Sequence, residues 1–149
     1  MSLISLENII NALHFWDRGV IIESIDYLQD IFDTYYLKVD ETELVSVMNR
    51  LIETCVSCGD RKMEEHIMDT LESGAGRNGI QNVNFAPLLK MFENEKYYDR
   101  LWHLVIILGG SLQPEYIDFL NGIENDDAFL LKEIDDAIYE LKYSKYENL

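Results

Sequence analysis

Residues 98–108 (YDRLWHLVIIL), 114–123 (PEYIDFLNGI) and 130–141 (LLKEIDDAIYEL) decide how this chain is read. Each stretch repeats its apolar residues at helical spacing. The joints between them, Gly109-Gly110-Ser111 and Asn125-Asp126-Asp127, are residues that stop and cap helices. Leu101, Trp102, Leu104, Val105, Ile106, Ile107 and Leu108 leave the first stretch apolar nearly all round, which predicts the helix most surrounded by others. Its β-branched Val105, Ile106 and Ile107 would also suit a strand, but no alternating partner strand occurs anywhere, and a lone strand is unstable. Pro114 fits the first turn of the next helix. Asp126 and Asp127 open the last one and Lys142 and Lys145 close it, in agreement with the helix dipole.

Working back toward the N-terminus, the same grammar predicts about eight helices in all. Ser5 caps a first helix whose inward line is Leu6, Ile9, Ile10, Leu13 and Trp16, stopping near Asp17. Asp17 caps a second, with Ile21, Ile25, Leu28, Phe32 and Tyr35 inward. Asp40 and Glu43 form an Asp-led capping box for a third, which carries Leu44, Val47, Met48, Leu51, Ile52, Cys55 and Val56 and ends at Gly59. Asp60 starts a fourth, with Met63, Ile67 and Leu71, closed by a glycine-rich loop near 73–83. Asn84, Phe85, Leu88, Leu89 and Phe92 make a shorter fifth. Helices this short, joined by a few residues, pack as antiparallel neighbours, so the expected fold is all-α, as stacked helical hairpins or an irregular helical bundle. Residues 1–149 are expected to form a single domain, since 149 residues bury one sizeable core.

The acidic balance narrows the partners. Twelve Lys and Arg against 28 Asp and Glu give a net charge of -16, which opposes direct binding to nucleic acid or to anionic membranes and favours a basic partner. No basic residue precedes Arg18 and no apolar run is long enough to span a bilayer, so neither a secretory signal nor a membrane segment is expected. Two cysteines in the whole chain fit a reducing compartment. A cytoplasmic location is expected.

The run from Leu104 through Leu108-Gly109-Gly110 to Pro114 and Leu120, followed by Asp126 to Leu141, resembles HEAT-type repeats. In that family an apolar helix ends in Leu-Gly, a Pro-started helix follows, and an Asp turn leads onward. The resemblance covers roughly the last third of the chain and implies a small α-solenoid that binds another protein. By type, though by no motif, small acidic helical chains of this kind also resemble immunity proteins of bacterial toxin systems.

Several motifs carry a chemical reading beside a structural one. Gly74-Ala75-Gly76-Arg77-Asn78-Gly79 has the letters of a dinucleotide fingerprint, but that motif needs a strand before it, and residues 68–72 read as helix. A hinge or helix stop is the better reading, and no cofactor is expected. Cys55 and Cys58 have the spacing of a redox pair or half a zinc site, yet they fall at a helix end where the dipole raises thiol pKa, and His14, His66 and His103 stand at no recognised ligand spacing. Cys55 is expected in the core and Cys58 at its rim, with no metal site. His103 follows Asp99 by four residues and is read as a partly buried structural histidine. No catalytic residues are expected.

Glu23, Asp26, Asp30 and Asp33 carry the most weight. Their spacings of three, four and three place them on one helix face opposite the apolar line, and no Lys or Arg lies between Val20 and Leu37. Each like-charge neighbour pair costs roughly 0.2–0.5 kcal/mol, so the stripe works against its own helix. With Tyr36 it forms the expected partner-binding surface: carboxylates steer a basic protein, of the kind a toxin presents, and tyrosine anchors it. An adaptor subunit completing an oligomer is the second expectation. A metal-dependent enzyme using His66 or His103 is the third.

Overall fold

The computed structural model describes residues 3–14, 17–34 and 37–147, with side chains through Tyr143. The described chain is all-helical: α1 (Glu7–Ala12), α2 (Arg18–Phe32), α3 (Glu41–Ser57), α4 (Arg61–Gly74), α5 (Ala86–Met91), α6 (Tyr98–Gly109), α7 (Ile117–Asn121) and α8 (Ala128–Glu147). Short 3-10 turns at Ile80–Asn82 and Pro114–Tyr116 precede α5 and α7. Pro114 therefore opens a tighter turn that leads into the α-helix.

Aspartates start the long helices. Asp17, Asp40 and Asp60 accept from the backbone N–H of Val20, Glu43 and Met63 at 3.0, 3.0 and 3.2 Å. Asp127 accepts from Phe129 and Leu130, both at 3.0 Å. Each such cap is worth about 1 kcal/mol. Two local expectations change. Glu43 does not return to its own helix start. It accepts from Ser5 Oγ at 3.1 Å and from the Leu6 N–H at 3.4 Å, satisfying donors at the start of α1 instead. Ser5 is accordingly not the N-cap; that position falls to Leu6, and α1 ends at Ala12 rather than near Asp17. Trp16 and Tyr35, assigned above to inward lines, lie outside the described residues.

Packing follows a regular order. α2 lies on α4, α4 on α6 and α6 on α8, while α1 lies on α3 and α3 on α5. The two sets meet through α1 on α2, α3 on α4 and α7 on α8. Buried side chains from Leu6 to Leu141 form one apolar cluster between them. Close approach is needed within the even set: a Cβ on Gly74 would meet Phe32 Cε2 of α2 at 2.8 Å, and one on Gly109 would meet Ala137 Cβ of α8 at 3.0 Å.

The glycine-rich loop is preceded by α4 and not by a strand, so the context for binding a pyrophosphate is missing. Gly74 belongs to the helix. Arg77 reaches back to α2 and donates to the carbonyls of Ile31, Phe32, Thr34 and Leu37 at 2.9–3.2 Å, with its guanidinium 5.5 Å from the Phe32 ring centre. Ile31 and Phe32 are the last residues of α2, where helix carbonyls lack intrahelical donors, and Thr34 and Leu37 follow in the segment after it. The loop stops one helix and closes another.

Candidate functional site

The buried face of α2 is Ile21, Ile25, Leu28, Ile31 and Phe32, which turns Glu23, Asp26, Asp30 and Asp33 outward together. All four are exposed. Among the described residues none is paired with a lysine or arginine. Asp26 is instead joined to His66 of α4, Oδ1 to Nε2, at 2.6 Å. Tyr36 lies outside the described residues. The exposed tyrosine on this helix is Tyr27, 59% accessible, which the sequence reading passed over. Its position four residues after Glu23 was the available signal.

α4 continues the acidic surface. Its buried side chains Met63, Ile67, Met68 and Leu71 leave Glu65, Asp69 and Glu72 on the solvent side. Polar contacts cross from helix to helix. Gln29 of α2 donates to Ser73 at 2.7 Å and accepts from Thr70 at 2.7 Å. On the other flank His103 of α6 donates through Nδ1 to Glu72 at 2.9 Å, with Asp69 at 3.5 Å. Asp99 and His103 sit one turn apart as read, but the carboxylates that reach the imidazole belong to the neighbouring helix. The ligand atoms of Asp69, Glu72 and His103 lie within 4.8 Å of one another, a donor set that a divalent transition metal accepts. The hydrogen bond to Glu72 also satisfies the imidazole without an ion.

A groove of about 390 Å³ separates α4 from α6. Glu65 and Asp69 rim it on one side and Asp99 on the other, Met68 and Phe92 are among its buried lining residues, and Tyr98 and Trp102 stand along α6 with ring centres 5.4 Å apart. At its inner end Arg100 is held by Glu95 at 2.7 Å and Glu64 at 3.0 Å, over the Phe92 ring at 5.0 Å. Partial desolvation raises the Tyr98 phenol above its ordinary pKa, and Asp127, Asp99 and Glu133 push it the same way.

Cys55 is fully buried and Cys58 half-buried. Burial, with smaller pushes from Glu64 and Cys58, raises the Cys55 thiol to about 12, so desolvation outweighs any helix-end effect. Cys58 Sγ lies 3.6 Å from the carbonyl oxygens of Cys55 and Asp60. The Cys55 thiol, held so far from its thiolate form, is a poor nucleophile and a poor metal ligand.

No helix among the described residues is long and apolar enough to cross a membrane. The chain matches no protein-family model, no curated protein and no solved structure.

Proposed function

We propose that this chain is a cytoplasmic, non-catalytic binding module that receives a basic protein on the outer face of α2 and α4, and that its role is neutralisation of a toxin. The observation that carries this reading is the stripe itself. Glu23, Asp26, Asp30 and Asp33 face solvent together, and Glu65, Asp69 and Glu72 extend the negative surface onto the next helix. Such a surface raises the rate at which a cationic partner arrives, and exposed Tyr27 supplies contact area beside it. The frame proposed for it is a HEAT-like stack of hairpins. What supports that frame is the succession α2 on α4, α4 on α6 and α6 on α8, beside α1 on α3 and α3 on α5, since stacked hairpins place their first helices in one layer and their second in another.

The test begins with partner capture from the native cell at low salt and release at high salt. Association with the captured basic protein is then timed for the wild type and for Asp26→Lys with Asp30→Lys. The double variant should associate about tenfold more slowly or worse, and the wild-type rate should fall steeply with salt. An association rate indifferent to both overturns the reading.

An adaptor role has one observation in its favour. On α8, the last helix of the even set, exposed Tyr139 and Tyr143 stand with ring centres 4.6 Å apart, and Phe129, 72% accessible, is exposed near the start of the same helix. Exposed aromatics so grouped mark contact surfaces. Sedimentation that shows a strict monomer at every concentration removes the homo-oligomeric form of this reading.

A further inference from the structure

We propose that the groove between α4 and α6 is a receptor for a single arginine side chain of the basic partner. This inference rests on the binding-module reading and names the chemistry of one contact within it. Three observations carry it. The groove, at about 390 Å³, lies at the small end of the range for ligand pockets, so it suits one side chain rather than a helix. Its α6 wall offers the rings of Trp102 and Tyr98, one turn apart and both half-buried, and its rim offers Glu65, Asp69 and Asp99, all exposed. Glu65 and Asp99 make no ion pair among the described residues, and Asp69 meets only the His103 imidazole.

The third observation is an internal precedent. At the inner end of the groove Arg100 lies over Phe92 and between Glu64 and Glu95, 22% exposed. A guanidinium is held there by an aromatic face and two carboxylates, and the outer groove repeats that combination with Trp102, Tyr98 and the rim acids. Because Arg100 is already matched by two carboxylates, the lining remains negative with its charge included. A flat guanidinium stacks on an indole while forking onto a carboxylate, which a compact ammonium cannot do. Arginine is therefore assigned over lysine.

The probes are N-acetyl-arginine amide, N-acetyl-lysine amide and the neutral isostere N-acetyl-citrulline amide, titrated into the full chain and followed by amide and indole NMR. Arginine amide should saturate, shifting the Trp102 indole and the amides of Glu65, Asp69 and Asp99, with citrulline amide inert. Trp102→Ala and Asp99→Asn should each weaken it about tenfold, as expected for a cation held against an aromatic in a partly desolvated groove. Asp99 is exposed, so its conservative variant reports on binding even if the tryptophan variant unfolds. Lysine amide binding as tightly as arginine amide, or shifts that spread along α2 and leave Trp102 unmoved, would overturn the assignment. Failure here leaves the broader reading separately testable, because Asp26→Lys with Asp30→Lys slows the basic partner while leaving arginine-amide saturation intact. A stripe variant without effect, beside a groove that saturates, sinks the stripe and spares the groove.

Discussion

Asp26 Oδ1 lies 2.6 Å from Nε2 of His66, so one carboxylate of the acidic stripe is bonded to the helix beside it. The pair is open to water, with side chains 61% and 38% accessible, and an exposed pair of this kind is worth about 0–1 kcal/mol. His66→Gln should therefore leave urea unfolding within about 1 kcal/mol of the wild type. Asp26→Lys with Asp30→Lys should likewise leave thermal unfolding nearly unchanged, since it removes like-charge neighbours as it removes the imidazole contact. A large loss of stability in the double variant would mean that the stripe holds the fold rather than awaiting a partner.

Gly74 is buried at the end of α4 against the Phe32 side chain of α2. A methyl there would meet Phe32 at 2.8 Å and Met48 Sδ at 3.1 Å, and Phe32 is fully buried with its ring under Arg77. Gly74→Ala should lower stability by about 1–3 kcal/mol in urea denaturation, although alanine alone favours the helix. A stabilised variant would show that Phe32 has room to move.

The two cysteines should separate cleanly under alkylation. In the native protein at neutral pH Cys58 should take label well before Cys55, and mass spectrometry should find the second adduct only on unfolding. The unfolded thiol ionises near 9.0 and the buried one near 12, so the folded state holds the extra proton between those values. Cys55 therefore makes stability fall as pH rises above about 9, and Cys55→Ser or Cys55→Ala should flatten that decline in alkaline denaturation curves.

Asp60 works in the opposite direction. Its bond to the Arg18 guanidinium at 2.8 Å, then its cap to Met63, hold the carboxyl below the ordinary value of 3.8. The unfolded chain thus binds the proton first as pH falls. The contribution is complete above the ordinary carboxylate range and is lost as pH drops through the lowered folded value. Arg18→Gln should reduce the steepness of acid unfolding below about pH 4, read by circular dichroism. An unchanged acid limb would show that this pair contributes nothing.

Much of the helical plan was legible because its determinants are local. Asp17, Asp40 and Asp60 cap through bonds to residues three positions on, and Gly59 ends α3 at a φ of 62°. The outward face of Glu23, Asp26, Asp30 and Asp33 follows from the inward line of Ile21, Ile25, Leu28 and Phe32 and nothing else. Where a side chain had a choice between near and distant partners, the local reading failed. Glu43 illustrates this: its carboxylate accepts from Ser5 and Leu6, 38 and 37 positions away in the chain, and not from its own helix start.

The sequence by itself determined the all-helical plan, the aspartate caps of α2, α3, α4 and α8 and the side of α2 on which its charges stand, because each depends on spacing within a few turns of one chain. Only the tertiary structure decided that His66 meets Asp26, that Arg77 closes the end of α2, and that Trp102 and Asp99 face Glu65 and Asp69 across a groove. Those pairings join residues about 30 to 45 positions apart, and they exist because α4 is packed between α2 and α6 by a shared apolar core. No periodicity along the chain encodes which two helix faces will meet.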